Sequence, residues 1–282
     1  MVKNVFKQFV LCALIGLFVF TNGGCGGGGG SSSPSKELQG QFIDGPVKGL
    51  SYECTPSGRK GATEDKGIFR YHSGDEVEFF VGDISLGKVN AQRIVTPLDY
   101  FPGYSYDSSE VLELVRLILS AAVVHPDGTV VVDGAPFPGH KGYWRALWKD
   151  LFDLGFITVN ESDAKDHFKD SLLRHVFSGK YSGTFTDVGG WDDSGTWEAT
   201  IDDLGKVTAT YRGRKHPGII YSAWGNVTPD GDMELDARGG TGTMHKWTGR
   251  ITVQGEDIII KGTWRQPFFP RSHGTFEGKK KD

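Results

Sequence analysis

Gly195-Thr196-Trp197-Glu198-Ala199-Thr200-Ile201 runs through Leu204-Gly205 into Lys206-Val207-Thr208-Ala209-Thr210-Tyr211-Arg212. Trp197, Ala199 and Ile201 alternate with Thr196, Glu198, Thr200 and Asp202. Val207, Ala209 and Tyr211 alternate with Lys206, Thr208, Thr210 and Arg212. A period of two is that of a strand with one buried and one wet face, and Leu204-Gly205 supplies the turn between two such strands. Gly-Thr-aromatic recurs around this hairpin, at Gly183-Thr184-Phe185, Gly195-Thr196-Trp197, Gly262-Thr263-Trp264 and Gly274-Thr275-Phe276. Further turn signals stand at Asp230-Gly231 and Gly255-Glu256, so residues 178–282 read as about eight strands joined by short links. Short links make an up-and-down meander. Eight twisted strands with one apolar face bury it by closing into an antiparallel barrel or by folding as a sandwich, and the barrel is the expected outcome.

Upstream the pattern is different. Residues 38–99 carry shorter alternating segments, Val47 to Cys54, Gly67 to Tyr71, Glu76 to Val81 and Ser85 to Val89, broken by Ser73-Gly74-Asp75 and Gly82-Asp83. These predict a small N-terminal β-sandwich. Residues 100–177 change period and form a helical connector. Val111, Leu114, Val115, Ile118, Leu119 and Ala122 recur at helical spacing behind an Asp107/Glu110 capping box. A second helix is expected over Tyr143 to Asp153 and a third after Ser162, with Ala164, Phe168 and Leu172 inward. The turn His125-Pro126-Asp127-Gly128 and the strand-like Thr129 to Val132 lie between the first two. The chain is therefore mainly β with a helical connector.

The first 37 residues read as address and leash. A basic start (Lys3, Lys7) precedes the apolar run Phe9 to Phe20, too short to span a bilayer, so residues 1–24 are expected to be a signal peptide. Asn22-Gly23-Gly24-Cys25 resembles the lipobox of bacterial lipoproteins, with Asn22 where that motif carries leucine, and the resemblance implies a lipid on Cys25. Gly26 to Gly30 and Ser31 to Ser33 offer no side chains to pack, so residues 25–37 are a flexible tether. By resemblance to Gram-negative sorting rules, Gly26 after the cysteine implies the outer membrane, periplasmic or surface-exposed.

The 282 residues hold 31 Lys+Arg against 35 Asp+Glu, which gives no basic face for nucleic acid. With Cys12 in the signal and Cys25 acylated, Cys54 is left without an intramolecular partner. On an alternating strand it shares a face with Leu50 and Tyr52, as a buried, inert thiol.

Four motifs in the first region carry a resemblance. They are Gly49-Leu50-Ser51-Tyr52, Gly67-Ile68-Phe69-Arg70-Tyr71, Val81-Gly82-Asp83-Ile84-Ser85-Leu86-Gly87 and Val95-Thr96-Pro97-Leu98-Asp99. Together they resemble a β module of bacterial surface lipoproteins and adhesins, a largely uncharacterised family. The resemblance implies architecture and surface exposure but no common activity. In that family a helix leads to an acidic loop suited to calcium. Here the helix leads to Val124-His125-Pro126-Asp127-Gly128, where Asp127 alone of the acidic set is present, so no metal is expected.

No nucleophile elbow, phosphate loop, zinc-ligand helix or haem-attachment pair occurs, and neither a cofactor nor a catalytic residue is expected. Tryptophans concentrate in the third region at Trp191, Trp197, Trp224, Trp247 and Trp264, and such rings can stack on sugars or enclose apolar ligands. Period places Trp197 with Ala199 and Ile201, and Trp264 with Ile258 and Ile260, where core residues belong. Trp191 lies instead in the turn Gly189-Gly190-Trp191-Asp192-Asp193-Ser194-Gly195, either as a plug over the barrel end or touching a ligand. Asp187, Asp192 and Asp193 offer carboxylates to a cation, but a solvated acidic loop is the expected reading. His216 and His245 are expected at the surface, and His167 hydrogen-bonded in the core.

The expected function is that of a membrane-anchored, non-catalytic binding or structural module, with a small-molecule, sugar or protein partner. One alternative is a lipocalin-like carrier or sensor whose cavity is lined by Trp197, Tyr211 and Trp264. A second is a carbohydrate-active hydrolase with carboxylates around Asp192 and Glu198. A filled barrel interior favours the module, an empty one lined by tryptophans the carrier, and an open cleft with paired carboxylates the hydrolase.

Overall fold

The computed structural model describes residues 36–189, 194–238, 244–267 and 272–281. Its first half assembles short strands: β1 (Glu37–Phe42), β2 (Val47–Lys48), β3 (Ser51–Thr55), β4 (Lys60–Ala62), β5 (Ile68–His72), β6 (Glu76–Val81), β7 (Ile84–Asn90) and β8 (Ile94–Val95). Helix α1 (Ser109–Ser120) follows, then β9 (Ala122–Val124), β10 (Val130–Val132), β11 (Gly142–Tyr143), α2 (Trp144–Asp153) and α3 (Glu161–Ser171). Three sheets result, in the orders β5-β1-β8, β2-β10-β9 and β11-β7-β6-β3-β4. Phe42, Phe69 and Phe79 pack edge-on between them, with centroids 4.8 Å apart for Phe42 and Phe79 and 5.1 Å for Phe69 and Phe79. The apolar stripe of α1, including Val111, Leu114, Val115 and Ile118, is buried in the same core.

Two features depart from the sequence reading. The strand expected over Val47 to Cys54 is broken at Gly49, whose φ of +92° suits glycine and whose missing Cβ leaves room for the Val132 carbonyl oxygen. The pieces on either side serve different sheets: β2 runs parallel to β10 (Val47↔Val130), and β3 joins β6. The segment expected as a helical connector also supplies strands to the first half, since β11 runs parallel to β7 (Gly142↔Ile84). The capping expectation shifts as well. Ser108 is the N-cap of α1, and Asp107 instead pairs with Lys165 of α3 at 2.9 Å. Asn160 caps α3 by accepting from the Asp163 amide at 2.9 Å.

The second half is a closed barrel of β12 (Gly179–Asp187), β13 (Gly195–Ile201), β14 (Lys206–Gly213), β15 (Tyr221–Val227), β16 (Asp232–Arg238), β17 (Met244–Gln254), β18 (Asp257–Arg265) and β19 (His273–Lys280). Every neighbouring pair is antiparallel, and β12 meets β19 from Tyr181↔Lys280 to Asp187↔Gly274, so no sheet edge is left open.

Register explains the Gly-Thr-aromatic repeat. In the β12–β13 hairpin Gly183 faces Trp197 and Gly195 faces Phe185, while Thr184 faces Thr196. In the β18–β19 hairpin Gly262 faces Phe276 and Gly274 faces Trp264, while Thr263 faces Thr275. Each copy thus offers its partner a glycine beneath an inward ring and a threonine on the wet face. A Cβ on Gly195 would stand 2.6 Å from the Phe185 ring, and one on Gly262 would stand 2.5 Å from that of Phe276.

The halves touch through barrel turns. The Asp230 carboxylate accepts from the Ser105 hydroxyl and the Tyr106 amide, both at 2.8 Å. The Arg93 amide donates to the Gly255 carbonyl at 2.9 Å, and the Tyr71 hydroxyl donates to Glu256. Residues 172–177 carry α3 into β12 and place Leu173 and Phe177 beside Gly205 and Gly231, over one barrel end.

Candidate functional site

The barrel interior is where alternation sends the rings. Trp197, Tyr211 and Trp264 are 6%, 8% and 6% exposed and point inward with Phe185, Trp247 and Phe276. The rings touch in a continuous cluster: Phe185 and Trp247 at 5.7 Å, Tyr211 and Trp247 at 5.3 Å, Trp247 and Phe276 at 5.0 Å, Trp197 and Phe276 at 6.1 Å. Edge-on and tilted arrangements dominate, as the ring quadrupoles favour. The Trp197 and Trp264 indole nitrogens donate to the carbonyls of Thr184 and Thr186, at 3.2 and 3.1 Å, and the Tyr211 hydroxyl donates to that of Arg238 at 3.3 Å. Such bonds hold the rings as packing elements and leave little free polarity for a ligand.

Among the described residues the space that remains in the interior is small. A cavity of about 20 Å³ is bordered by Trp197, Ala199, Tyr211, Ala223, Leu235 and Trp247, and it is large enough for one water molecule. Trp264 packs beside it against Trp247. The Trp247 indole nitrogen is buried without a hydrogen-bond partner among the described residues.

Other candidates separate. Trp191, Asp192, Asp193 and Cys25 lie outside the described residues. Asp187 accepts from the Gly189 amide at 2.7 Å. Glu198 pairs with Lys281 at 2.7 Å on the wet face, and that hydrogen bond and charge hold its carboxyl below the usual range, the opposite of what a proton donor needs. His216 is exposed. His245, expected at the surface, is half-buried against Trp264, and the burial lowers its pKa. Among the described residues no group of three His, Cys, Asp or Glu could hold a metal.

Two positions were not singled out by the sequence reading. Asp44 is fully buried, and neither of its carboxylate oxygens has a hydrogen-bond partner among the described residues. Burial raises its pKa to about 7, opposed by the charge of His167, whose Nε2 lies 3.6 Å from Asp44 Oδ1 and 2.9 Å from the Asp44 carbonyl. The Gly45 amide donates to Ser171 one turn further along α3, so this turn is pinned to the helix at two places. Cys54 is buried as expected, and desolvation pushes its thiol up to about 12, which keeps it unreactive. The other position is Trp224, 41% exposed on the outer barrel face. Alternation with Ala223 and Val227 carries that signal, since both neighbours are inward.

No family model matches the chain, and no curated protein is detectably similar to it. Among solved structures, a redesigned beta barrel superposes at a TM-score of 0.29 with 19% identity, over 40% of this chain and 96% of its own. The rhizavidin–biotin complex superposes at 0.25 with 18% identity, over 36% of this chain and 99% of that one.

Proposed function

We propose that the chain is a non-catalytic binding or structural module of the bacterial cell envelope, held to the outer membrane by a lipid on Cys25 and set off from it by the Gly/Ser tether. The filled barrel interior is the observation that carries the non-carrier part of this reading. A small-molecule carrier of the lipocalin kind needs a pocket of several hundred Å³. Among the described residues about 20 Å³ remains, and Trp197, Tyr211 and Trp264 serve as packing. Recognition then falls to the outer surfaces, which suits a domain displayed on a leash. The hydrolase reading gains nothing from Glu198, whose carboxylate is tied to Lys281.

Metabolic labelling of expressing cells with an alkyne fatty acid tests the anchor. Wild type takes up label in the membrane fraction and Cys25→Ala does not. Label on Cys25→Ala, or a mature chain that keeps residues 1–24 in the soluble fraction, would contradict it.

A further inference from the structure

Among the described tryptophans only Trp224 is exposed. Its place follows from register. Ser222, Trp224 and Asn226 take the wet side of β15, with Thr208 of β14 and Asp236 of β16 directly across from Trp224, and Lys206 and Glu234 across from Asn226. The surrounding shallow, solvent-open groove is lined by Trp224, Asn226, Asp232, Glu234, Asp236 and Thr248. Exposing an indole forgoes the burial that Trp197, Trp247 and Trp264 obtain, so a partner that covers it recovers hydrophobic free energy.

The charges around the ring narrow the partner. Lys246 Nζ sits between Glu234 at 2.8 Å and Asp236 at 3.1 Å. Arg250 lies 3.5 Å from Asp232 and donates to the Asp230 carbonyl at 3.2 Å. Asp232, Glu234 and Asp236 stand against Lys246, Arg250 and Lys206, with Arg238 across from Ser222 at the margin, so the charge of the face is nearly balanced and selects neither a polyanion nor a polycation. The same pairing leaves no lone carboxylate for a simple cation to neutralise. What the groove offers is one flat apolar face ringed by fixed charge-assisted donors and acceptors together with amide and hydroxyl groups. The complement is a neutral molecule with an apolar C–H face and a rim of hydroxyls, which is a pyranose ring. A protein partner would need on the order of 800 Å² per side with several apolar anchors, and Trp224 is a single one.

We infer that the β15–β16 face is a binding site for neutral oligosaccharide, with Trp224 as the stacking platform and Asn226, Glu234 and Asp236 bonding the hydroxyls. This deepens the binding-module reading above and rests on it. Lys246 and Arg250 hold the carboxylates in position.

Affinity electrophoresis of the full chain tests it, in native gels containing hydroxyethylcellulose, glucomannan or galactan, with heparin as the polyanion. Wild type is retarded in at least one neutral gel and not by heparin. Calorimetry with a hexasaccharide of the retarding polymer then shows at least tenfold weaker binding for Trp224→Ala, a smaller loss for Trp224→Tyr and for Asp236→Asn, and none for Trp148→Phe on α2. Trp224→Tyr keeps an aromatic ring, so a folding defect in the alanine variant does not decide the matter. Retardation by heparin alone, or none in any gel, overturns the ligand class. Equal binding by Trp224→Ala and Trp224→Tyr to that of wild type overturns the site while leaving the module reading intact. Failure of Cys25 labelling with sugar binding preserved removes the anchor and leaves the site.

Discussion

The two halves of this molecule bury similar side chains by opposite means. In the barrel every strand pairs with the next in sequence, closure removes both edges, and the core is a cluster of rings seated over glycines. In the first half, segments far apart in sequence come together in parallel, β2 with β10 and β7 with β11, and three helices close the core. A meander is specified locally, by alternation and turns. The first half is specified only when Val130 to Val132 and Gly142-Tyr143 return to strands laid down far earlier, which makes its assembly the slower, less local task. The fixed contacts at Asp230, Gly255 and Glu256 join the halves, so they are expected to melt together.

The largest effects test that joining. Phe276→Ala in the barrel and Phe79→Ala in the first half each delete a buried ring and are expected to cost about 3–5 kcal/mol. Calorimetry should show one unfolding endotherm for wild type and for each variant, displaced downwards. Two endotherms, with only the mutated half shifted, would mean that the contacts between the halves are too weak to couple them.

Asp44 belongs to the first half, and among the described residues no barrel carboxylate is buried as completely. Its folded pKa of about 7 lies above the ordinary value of 3.8, so the folded chain keeps a proton that the unfolded chain gives up. The stabilisation this provides is complete below pH 3.8 and is lost as pH rises through 7. Its full span is on the order of a few kcal/mol. Asp44→Asn should therefore flatten the pH profile of the urea midpoint and be more stable than wild type at pH 8, with the advantage shrinking towards pH 5. A gap between the two proteins that is the same at pH 5 and pH 8 would show that Asp44 does not titrate in this window.

The barrel's own signature gives a smaller change. Gly262→Ala places a methyl group against the Phe276 ring and the Thr248 carbonyl, which should cost about 1–3 kcal/mol in a urea titration. Thr263→Val on the wet face should stay within about 0.5 kcal/mol. Equal effects would mean that glycine under the ring is not what the repeat encodes.

The barrel was legible because period two and short links are local signals, and the observed register pairs the repeated glycines and rings that the sequence displays. Strand order in the first half was not. Nothing in Val47 to Cys54 says that it divides at Gly49 between two sheets, because the carbonyl that forbids a Cβ there comes from Val132. The inward course of Trp197 and Trp264 was readable from alternation. The same test applied to Ala223, Trp224 and Val227 marks Trp224 as outward, a signal obscured when tryptophans are grouped by number instead of by face. Asp44 could not be found in this way, since its burial is made by α3 closing over the turn after β1.

Titration of the full chain with retinol or a long-chain fatty acid, followed by tryptophan fluorescence, addresses the closed interior most directly. With about 20 Å³ available among the described residues, no saturable quenching is expected. Saturable one-to-one quenching that persists in Trp224→Phe would place a ligand inside the barrel and contradict the account.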